Sequence, residues 1–168
     1  MFIACTGHRP GKINNEFDGN GPVSASIRGK MTQVIHKYQP ERILTGMALG
    51  VDMLWAEVGI IFGIQVVACI PCIGQESKWP EASRARYNSI LLHPNVSQVL
   101  VSEEPYRPEL MQERNRWMVD HSDLLLAVWD KSRGGTSNCV EYAMAKDRPI
   151  IYIDVRPIIK IARRMRDK

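Results

Sequence analysis

Three successive segments carry the strongest structural signal in this chain: Met111-Gln-Glu-Arg-Asn-Arg-Trp-Met118, Asp123-Leu-Leu-Leu-Ala-Val-Trp129 and Gly134-Gly-Thr136. They combine an arginine-bearing segment, an apolar strand and a glycine turn that opens a helix. Because the first N–H groups of a helix bind anions, this order predicts a phosphate or nucleotide pocket. A second glycine turn with the same character lies upstream at Gly46–Asp52. Together the two turns favour a nucleotide-derived small molecule as the ligand.

Apolar runs typical of strands alternate with segments of helical spacing along the whole chain. The predicted strands are Phe2–Thr6, Arg42–Thr45, Ile64–Ile70, Val96–Ser102, Asp123–Trp129 and Pro149–Ile153, and the predicted helices are Val23–Tyr38, Leu49–Phe62, Pro80–Leu92, Pro108–His121 and Asn138–Lys146. Strands that are apolar on both faces and separated by helices indicate a parallel sheet covered on both sides. We therefore predict an α/β, Rossmann-like, doubly wound and mostly parallel sheet.

The charge pattern separates residues 1–155 from a basic tail at 156–168. The chain carries a formal net charge of +4, but six Lys/Arg and one acid fall from Arg156 onward, which leaves −1 for residues 1–155. We expect one nucleotide-binding domain followed by a tail helix with an apolar face, formed by Ile158, Ile161, Ala162 and Met165. Such a face packs on the domain or on a second subunit. A homo-oligomer is therefore expected, and nucleic acid is a less favoured partner.

Composition argues against several other classes. No apolar run approaches the roughly 20 residues of a membrane helix, and no leader precedes the first strand, so we expect a cytoplasmic protein without membrane contact. The four cysteines (Cys5, Cys69, Cys72 and Cys139) are predicted to pack rather than to form disulfides. The pair Cys69/Cys72 closes a strand instead of opening a helix, and the histidines show no ligand spacing. No metal and no cofactor are predicted.

Candidate ligand contacts follow the first two predicted strands, where parallel sheets of this type bind ligands. After the first strand they are Thr6, Gly7, His8 and Arg9, and after the second they are Gly46, Met47, Ala48, Gly50 and Asp52. Glycine permits close backbone approach, while His8 and Arg9 offer donors to an anion. The alternatives are a solvated turn for His8 and Arg9, and a helix-capping carboxylate for Asp52. The spacing is not the dinucleotide Gly-x-Gly-x-x-Gly pattern.

The turn after the fifth strand offers consecutive N–H groups and hydroxyls, from Gly134, Gly135, Thr136, Ser137 and Asn138. Two interpretations remain open for Glu141, which lies a few residues further along the chain. It is a candidate catalytic carboxylate, or it completes a capping box in which Asn138 is the N-cap. Arg114 is likewise either a pocket residue or a solvated helix residue.

These motifs resemble two known families. Gly46–Asp52, continued through Trp55-Ala56, is similar to the Gly-x-Ala-x-Gly-[Ile/Val]-Asp-x-x-Ala signature of the DNA-processing protein A family. Met111-x-x-Arg-Asn-x-x-Met118, with Gly134-Gly135 and Glu141, resembles the Met-x-x-Arg-Lys-x-x-Met and Pro-Gly-Gly-x-Gly-Thr-x-x-Glu motifs of the Lonely Guy phosphoribohydrolases. Both belong to the SLOG superfamily, and Thr-Gly-His-Arg-Pro near the start is similar to a small bacterial and phage branch of it.

The resemblance implies an activity and two catalytic residues. Lonely Guy enzymes cleave the N-glycosidic bond of a nucleoside 5′-monophosphate, and their arginine and glutamate fall on Arg114 and Glu141. Four other motif positions differ, with Arg133 for Pro, Ser137 for Gly, Asn138 for Thr and Asn115 for Lys. The first hypothesis is therefore a nucleotide-processing N-glycosidase. The second is a non-catalytic domain that binds or senses an ADP-ribose-type or cyclic nucleotide, and the third is a DNA-binding protein.

Overall fold

A single sheet of six parallel strands organises the computed structural model, which describes residues 1–167. The strands are β1 (Phe2–Gly7), β2 (Arg42–Thr45), β3 (Gln65–Ile70), β4 (Val96–Leu100), β5 (Leu124–Trp129) and β6 (Ile150–Asp154). Their spatial order is β4-β3-β2-β1-β5-β6. The chain builds the sheet outward from β1 to β4 and then crosses back to place β5 on the other side of β1. The order therefore switches between β1 and β5.

Six helices cover the two faces of the sheet. They are α1 (Pro22–Tyr38), α2 (Val51–Ile61), α3 (Glu81–Leu91), α4 (Pro108–Asp120), α5 (Gly135–Ala145) and α6 (Val155–Arg166). Helices α1, α2, α3 and α6 contribute to the apolar core on one face, and α4 and α5 to the core on the other. The predicted doubly wound α/β fold is thus confirmed. Within residues 1–167, no helix combines the length and apolarity needed to cross a bilayer.

Strict alternation along the central strands explains why both faces are buried. In β1, Ile3 and Cys5 point into the first core while Ala4 points into the second. In β5, Leu126 packs with the first core and Leu125 with the second, and both are fully buried. A strand that is apolar at every position satisfies the core on each side, as parallel sheets require.

Helix α5 begins earlier than the sequence predicted. It starts at Gly135 with Gly134 as its N-cap, and the Asn138 N–H already donates to the Gly134 carbonyl at 3.1 Å. The Ser137 hydroxyl accepts from the Gly134 N–H and donates to its carbonyl, both at 2.8 Å. Of the two interpretations of Glu141, the capping box with Asn138 as N-cap is therefore wrong, because α5 starts at Gly135, three residues before Asn138, and Ser137 closes its first turn.

The basic tail forms α6 and packs against α1. Ile158 and Ala162 are buried in the first core, and the Asp154 carboxylate caps the helix by accepting from the Arg156 N–H at 3.0 Å. Ile161 and Met165, predicted to share the apolar face, are 59% and 70% exposed. The apolar face of α6 is therefore only partly covered by the domain.

Helix α2 lies unusually close to the sheet at Gly59. A Cβ atom at Gly59 would overlap Ile43 Cδ1 and approach Val66 Cγ2 to 2.9 Å, whereas one at exposed Gly29 of α1 would meet nothing within 4 Å. The two glycines therefore form a matched pair of helical positions that differ in the space around them.

We expect Gly59→Ala to lower the free energy of unfolding by about 1–3 kcal/mol, because overpacking displaces core side chains. The same change at Gly29 should raise it by about 0.5–1 kcal/mol through helix propensity alone. Urea unfolding followed by circular dichroism measures both. Equal stability of the two variants would contradict the close packing of α2 on the sheet.

Candidate functional site

A cleft of about 400 Å³ opens at the carboxyl ends of β1, β2 and β5, where the strand order switches. We name it the switch-point cleft. The residues predicted from sequence that line it are Thr6, Gly7, His8, Arg9, Ala48, Asp52, Arg114, Gly134, Gly135 and Thr136. Segments that are far apart in the chain thus meet at the position where sheets of this type bind ligands.

The turns after β1 and β2 are held together at Gly50. The Val51 N–H donates to the His8 carbonyl at 3.2 Å. Gly50 has φ +94°, and a Cβ there would lie 2.6 Å from the same carbonyl oxygen. Glycine is required here both by the conformation and by the space. Gly50, predicted as a ligand contact, does not line the cleft. It allows the two turns that form the cleft to pack closely against each other.

Asp52 organises the turn that leads into α2. Its Oδ2 accepts from the Ala48 N–H at 3.2 Å, and its backbone carbonyl accepts from the Thr45 hydroxyl at 2.7 Å. The carboxylate is 6% exposed, and its Oδ1 has no hydrogen-bond partner within residues 1–167. Burial raises the pKa of Asp52, although the Arg114 charge and the Ala48 N–H partly offset it. A carboxylate oxygen is thus left to face the cleft.

Arg114 reaches the cleft from α4 with a buried guanidinium. Its Nη1 donates to the Gly46 carbonyl at the end of β2 and to the Cys69 carbonyl of β3 at 3.5 Å, and its Nε donates to Asn115 Oδ1 at 3.0 Å. The side chain is only 4% exposed. Arg114 therefore ties two strand ends together and also contributes positive charge to the cleft floor.

His8 and Asp130 join the ends of β1 and β5. His8 Nε2 lies 2.7 Å from Asp130 Oδ1, which also accepts from the Ser132 N–H at 2.8 Å. Burial lowers the pKa of His8, and the neighbouring Asp130 offsets this only in part. Burial raises the pKa of Asp130, but hydrogen bonds from Ser132 and His8 outweigh it and lower the pKa. At neutral pH, His8 is therefore neutral and Asp130 ionised.

The charge balance of the cleft suits an anion. Four cations line it, Arg9, Lys12, Arg114 and Arg133, against the single carboxylate of Asp52 among the described lining residues. The N-terminus of α5, at Gly135 and Thr136, opens on the same space and adds the unpaired N–H groups of a helix start. A phosphate group is the ligand chemistry that both features recognise.

Several predicted site residues lie outside the lining. Met47 is buried in the first core, and Gly46 lies behind the Arg114 guanidinium. Ser137 caps α5 and Asn138 lies within that helix. Glu141 is on an exposed face of α5 and is absent from the cleft lining.

The structure adds lining residues that the sequence did not name as ligand contacts. They are Gly11, Lys12, Met111, Gln112, Asn115, Ser132 and Arg133. Lys12 comes from a loop without hydrophobic period, where a short 3₁₀ turn at Pro10–Lys12 brings its ammonium to the Ser132 hydroxyl. Three of these residues carried a signal in the sequence: Met111 and Asn115 belong to the same motif as Arg114, and Arg133 directly precedes the predicted glycine turn.

The cysteines of the chain are buried free thiols. Burial raises the pKa of Cys69 and of Cys139 to about 12, so neither is a thiolate at neutral pH. Within residues 1–167, no group of three or more His, Cys, Asp or Glu side chains is arranged to hold a metal ion.

Comparison with known proteins points to one family. A model of the YspA SLOG family matches residues 3–156, which confirms the resemblance to the SLOG superfamily. A UPF0398 protein of Bacillus cereus strain G9842 is 30% identical over 144 residues, covering 80% of this chain and 77% of that protein. A second UPF0398 protein, from Bacillus cereus strain AH820, is 29% identical and covers 86% of this chain and 82% of its own length.

Solved structures share the fold at low sequence identity. DNA processing protein A from Helicobacter pylori, a protein that binds single-stranded DNA, superposes with a TM-score of 0.64 at 18% identity. DNA processing protein A from Streptococcus pneumoniae gives 0.58 at 20%, and the structural-genomics target TM1055 gives 0.56 at 18%. About 90% of this chain is covered in each case, but the chain spans only 64% and 49% of the two DNA processing proteins.

The lowered pKa of His8 predicts how stability depends on pH. Below about pH 6.5 the His8 side chain is protonated in the unfolded chain but stays neutral in the folded protein. The free energy of unfolding therefore falls as the pH drops toward the folded-state pKa of His8. Asp130 stays ionised through this window. We expect the melting temperature of His8→Gln to fall less between pH 7.5 and 5.5 than that of the unmodified protein.

Differential scanning fluorimetry at both pH values makes this measurement. The matched control is His36→Gln, a change at an exposed position of α1, which should retain the full pH dependence. Equal slopes for the unmodified protein and His8→Gln would show that His8 does not titrate as its burial requires.

Proposed function

Because this chain belongs to the YspA SLOG family, we propose that its switch-point cleft binds a nucleotide through a phosphate group. The observation that carries the proposal is that four cations line the same cleft onto which the N-terminus of α5 opens. The phosphate lies against the first N–H groups of that helix, where the helix dipole and unpaired donors favour an anion. Arg9 and Arg133 are exposed at the rim and close over it.

The Asp52 carboxylate in the same cleft suits the sugar of the same ligand. The open Oδ1 of Asp52 offers ribose hydroxyls a hydrogen-bond acceptor that no N–H of the described residues occupies. A cleft of about 400 Å³ falls within the usual range for small-molecule sites. The combination of anion-binding donors with an acceptor for ribose hydroxyls thus favours a nucleotide over inorganic phosphate.

Arg133→Ala should raise the Kd for adenosine 5′-monophosphate about tenfold, because a charge-assisted hydrogen bond to the phosphate is lost. Isothermal titration calorimetry measures the change. Arg84→Ala, an equal loss of charge on exposed α3, serves as the control and should leave the Kd unchanged. Adenosine, which lacks the phosphate, should bind weakly to all three proteins. Equal affinity for adenosine and its monophosphate would refute the phosphate site.

The reaction we propose for this site is hydrolysis of the N-glycosidic bond of the bound nucleotide. Water adds to C1′ of the ribose, the C1′–N bond breaks, and the base leaves with a proton. The sugar passes through an oxocarbenium-like state that a carboxylate stabilises. The family resemblance assigns this role to Glu141, whereas Asp52 is the carboxylate that lines the cleft. Asp52 is therefore the stronger candidate within the described lining.

Asp52→Asn should lower the rate of base release at least 100-fold, in the range seen for loss of one group that stabilises developing charge. Binding of the monophosphate should weaken by no more than about tenfold, since an amide oxygen still accepts hydrogen bonds. Chromatography of the released adenine measures turnover. Glu141→Gln is the matched isosteric change on α5, and its rate should stay within about twofold of the unmodified protein if Asp52 is the carboxylate.

The second candidate is a binding or sensing domain without turnover. The exposed position of Glu141 supports it, together with the four changed motif positions. Monophosphate binding without detectable adenine release by the unmodified protein would decide for this candidate.

Single-stranded DNA, which the Helicobacter pylori protein binds, is the third candidate. We also propose a homo-oligomer, supported by the exposed Ile161 and Met165 of α6.

A further inference from the structure

A second concave surface adjoins the switch-point cleft. This groove of about 510 Å³ lies between α6 and the loop around Lys12, and we call it the α6 groove. Gly11 and Lys12 line both the cleft and the groove. The Lys12 ammonium, bonded to Ser132, therefore sits at the boundary between them. The cleft and the groove are therefore direct neighbours on the surface of the protein.

The α6 groove has an excess of positive charge. Two carboxylates line it, Asp130 and Asp167, against five cations, which are Lys12, Arg156, Lys160, Arg163 and Arg164. Three of its side chains, Lys160, Arg163 and Arg164, form no ion pair within residues 1–167. They occupy positions i, i+3 and i+4 of one helix, a spacing at which like charges repel and weaken the helix. Arg156, by contrast, is paired with Asp154 at 2.6 Å. The three cations of α6 are thus arranged for an anion that is not part of the chain.

We infer that the α6 groove is a second phosphate subsite, and that the ligand is a nucleotide carrying a second phosphoryl group apart from the first. The inference rests on the proposed nucleotide cleft and extends it. The first phosphate lies at the start of α5, and Lys12 contacts the connecting part of the ligand. The second phosphoryl group is bound by Lys160 and Arg163 of α6. Guanidinium and ammonium groups bind phosphate through charge-assisted hydrogen bonds.

The free cations of α6 lie outside the part of the chain that matches the family model. The family match ends at residue 156, and Lys160, Arg163 and Arg164 all follow it. The buried side of α6, through Ile158 and Ala162, nevertheless fixes the helix on the domain. The subsite is therefore rigidly attached to the cleft.

The lining favours a small ligand over a nucleic-acid strand. Among the described residues that line the cleft and the groove, none is Phe, Tyr or Trp. Sites that track single-stranded nucleic acid combine a basic groove with aromatic platforms on which bases stack. Here recognition rests on phosphate contacts alone, at two places. That arrangement selects for the number and spacing of phosphoryl groups rather than for a run of bases.

The test compares four ligands by isothermal titration calorimetry with the full chain. They are adenosine 5′-monophosphate, adenosine 3′,5′-bisphosphate, the 5′-phosphorylated dinucleotide pApA and a 5′-phosphorylated oligoadenylate of about twelve units. We expect the bisphosphate or the dinucleotide to bind at least tenfold tighter than the monophosphate. The double variant Lys160→Ala/Arg163→Ala should abolish this gain and change the Kd of the monophosphate less than twofold. Both side chains are exposed, so the fold is retained.

Arg166→Ala is the control, because Arg166 belongs to the same helix but does not line the groove. It should leave the gain intact. Monophosphate binding without any gain from a second phosphate would overturn this inference and leave the nucleotide cleft standing, whereas no binding of any adenylate would overturn both. A third outcome is that the affinity keeps rising up to the longest oligoadenylate and falls steeply with salt concentration. This would contradict a small-molecule ligand and favour a nucleic-acid strand.

Discussion

The structure around the switch-point cleft depends on the hydrogen bonds of the Arg114 guanidinium. It comes from α4 on one face of the sheet and donates to carbonyls at the ends of two neighbouring strands. A buried cation is costly unless its donors are satisfied and an opposite charge is near. The strand carbonyls meet the first condition, and Asp52, whose own pKa responds to the Arg114 charge, meets the second. The loops of the cleft are built around this pair.

The same arrangement explains why polar groups tolerate burial here. Asp52 is held by a loop N–H on one oxygen, and His8 is held by Asp130 across the gap between β1 and β5. Each polar side chain satisfies part of its hydrogen-bonding capacity within the protein and leaves part open toward the cleft. Such incomplete satisfaction is expected where a ligand completes the network, and it is unfavourable elsewhere in a core.

The fold was predictable because it rests on periodicity. The strand β5 is apolar at every position, and glycine marks the turns that follow β1, β2 and β5. The cap of α5 was harder to predict, because the side chains of both Asn138 and Ser137 can accept a hydrogen bond at a helix start. Only the backbone conformation at Gly134 places the Ser137 hydroxyl in that position. Lys12 was missed because its loop has no hydrophobic pattern. Its position depends on a 3₁₀ turn and a contact with Ser132, 120 residues away.

The walls of the switch-point cleft come from four separate regions of the chain, near residues 6–12, 48–52, 111–115 and 132–136. When the domain unfolds, these regions separate and no one of them retains the site. The proposed ligand is therefore expected to bind the native state and not the unfolded chain. Occupancy then raises the free energy of unfolding of the whole domain as RT ln(1 + [L]/Kd). We therefore expect the resistance of this protein to heat and to proteolysis to follow the local concentration of the proposed nucleotide.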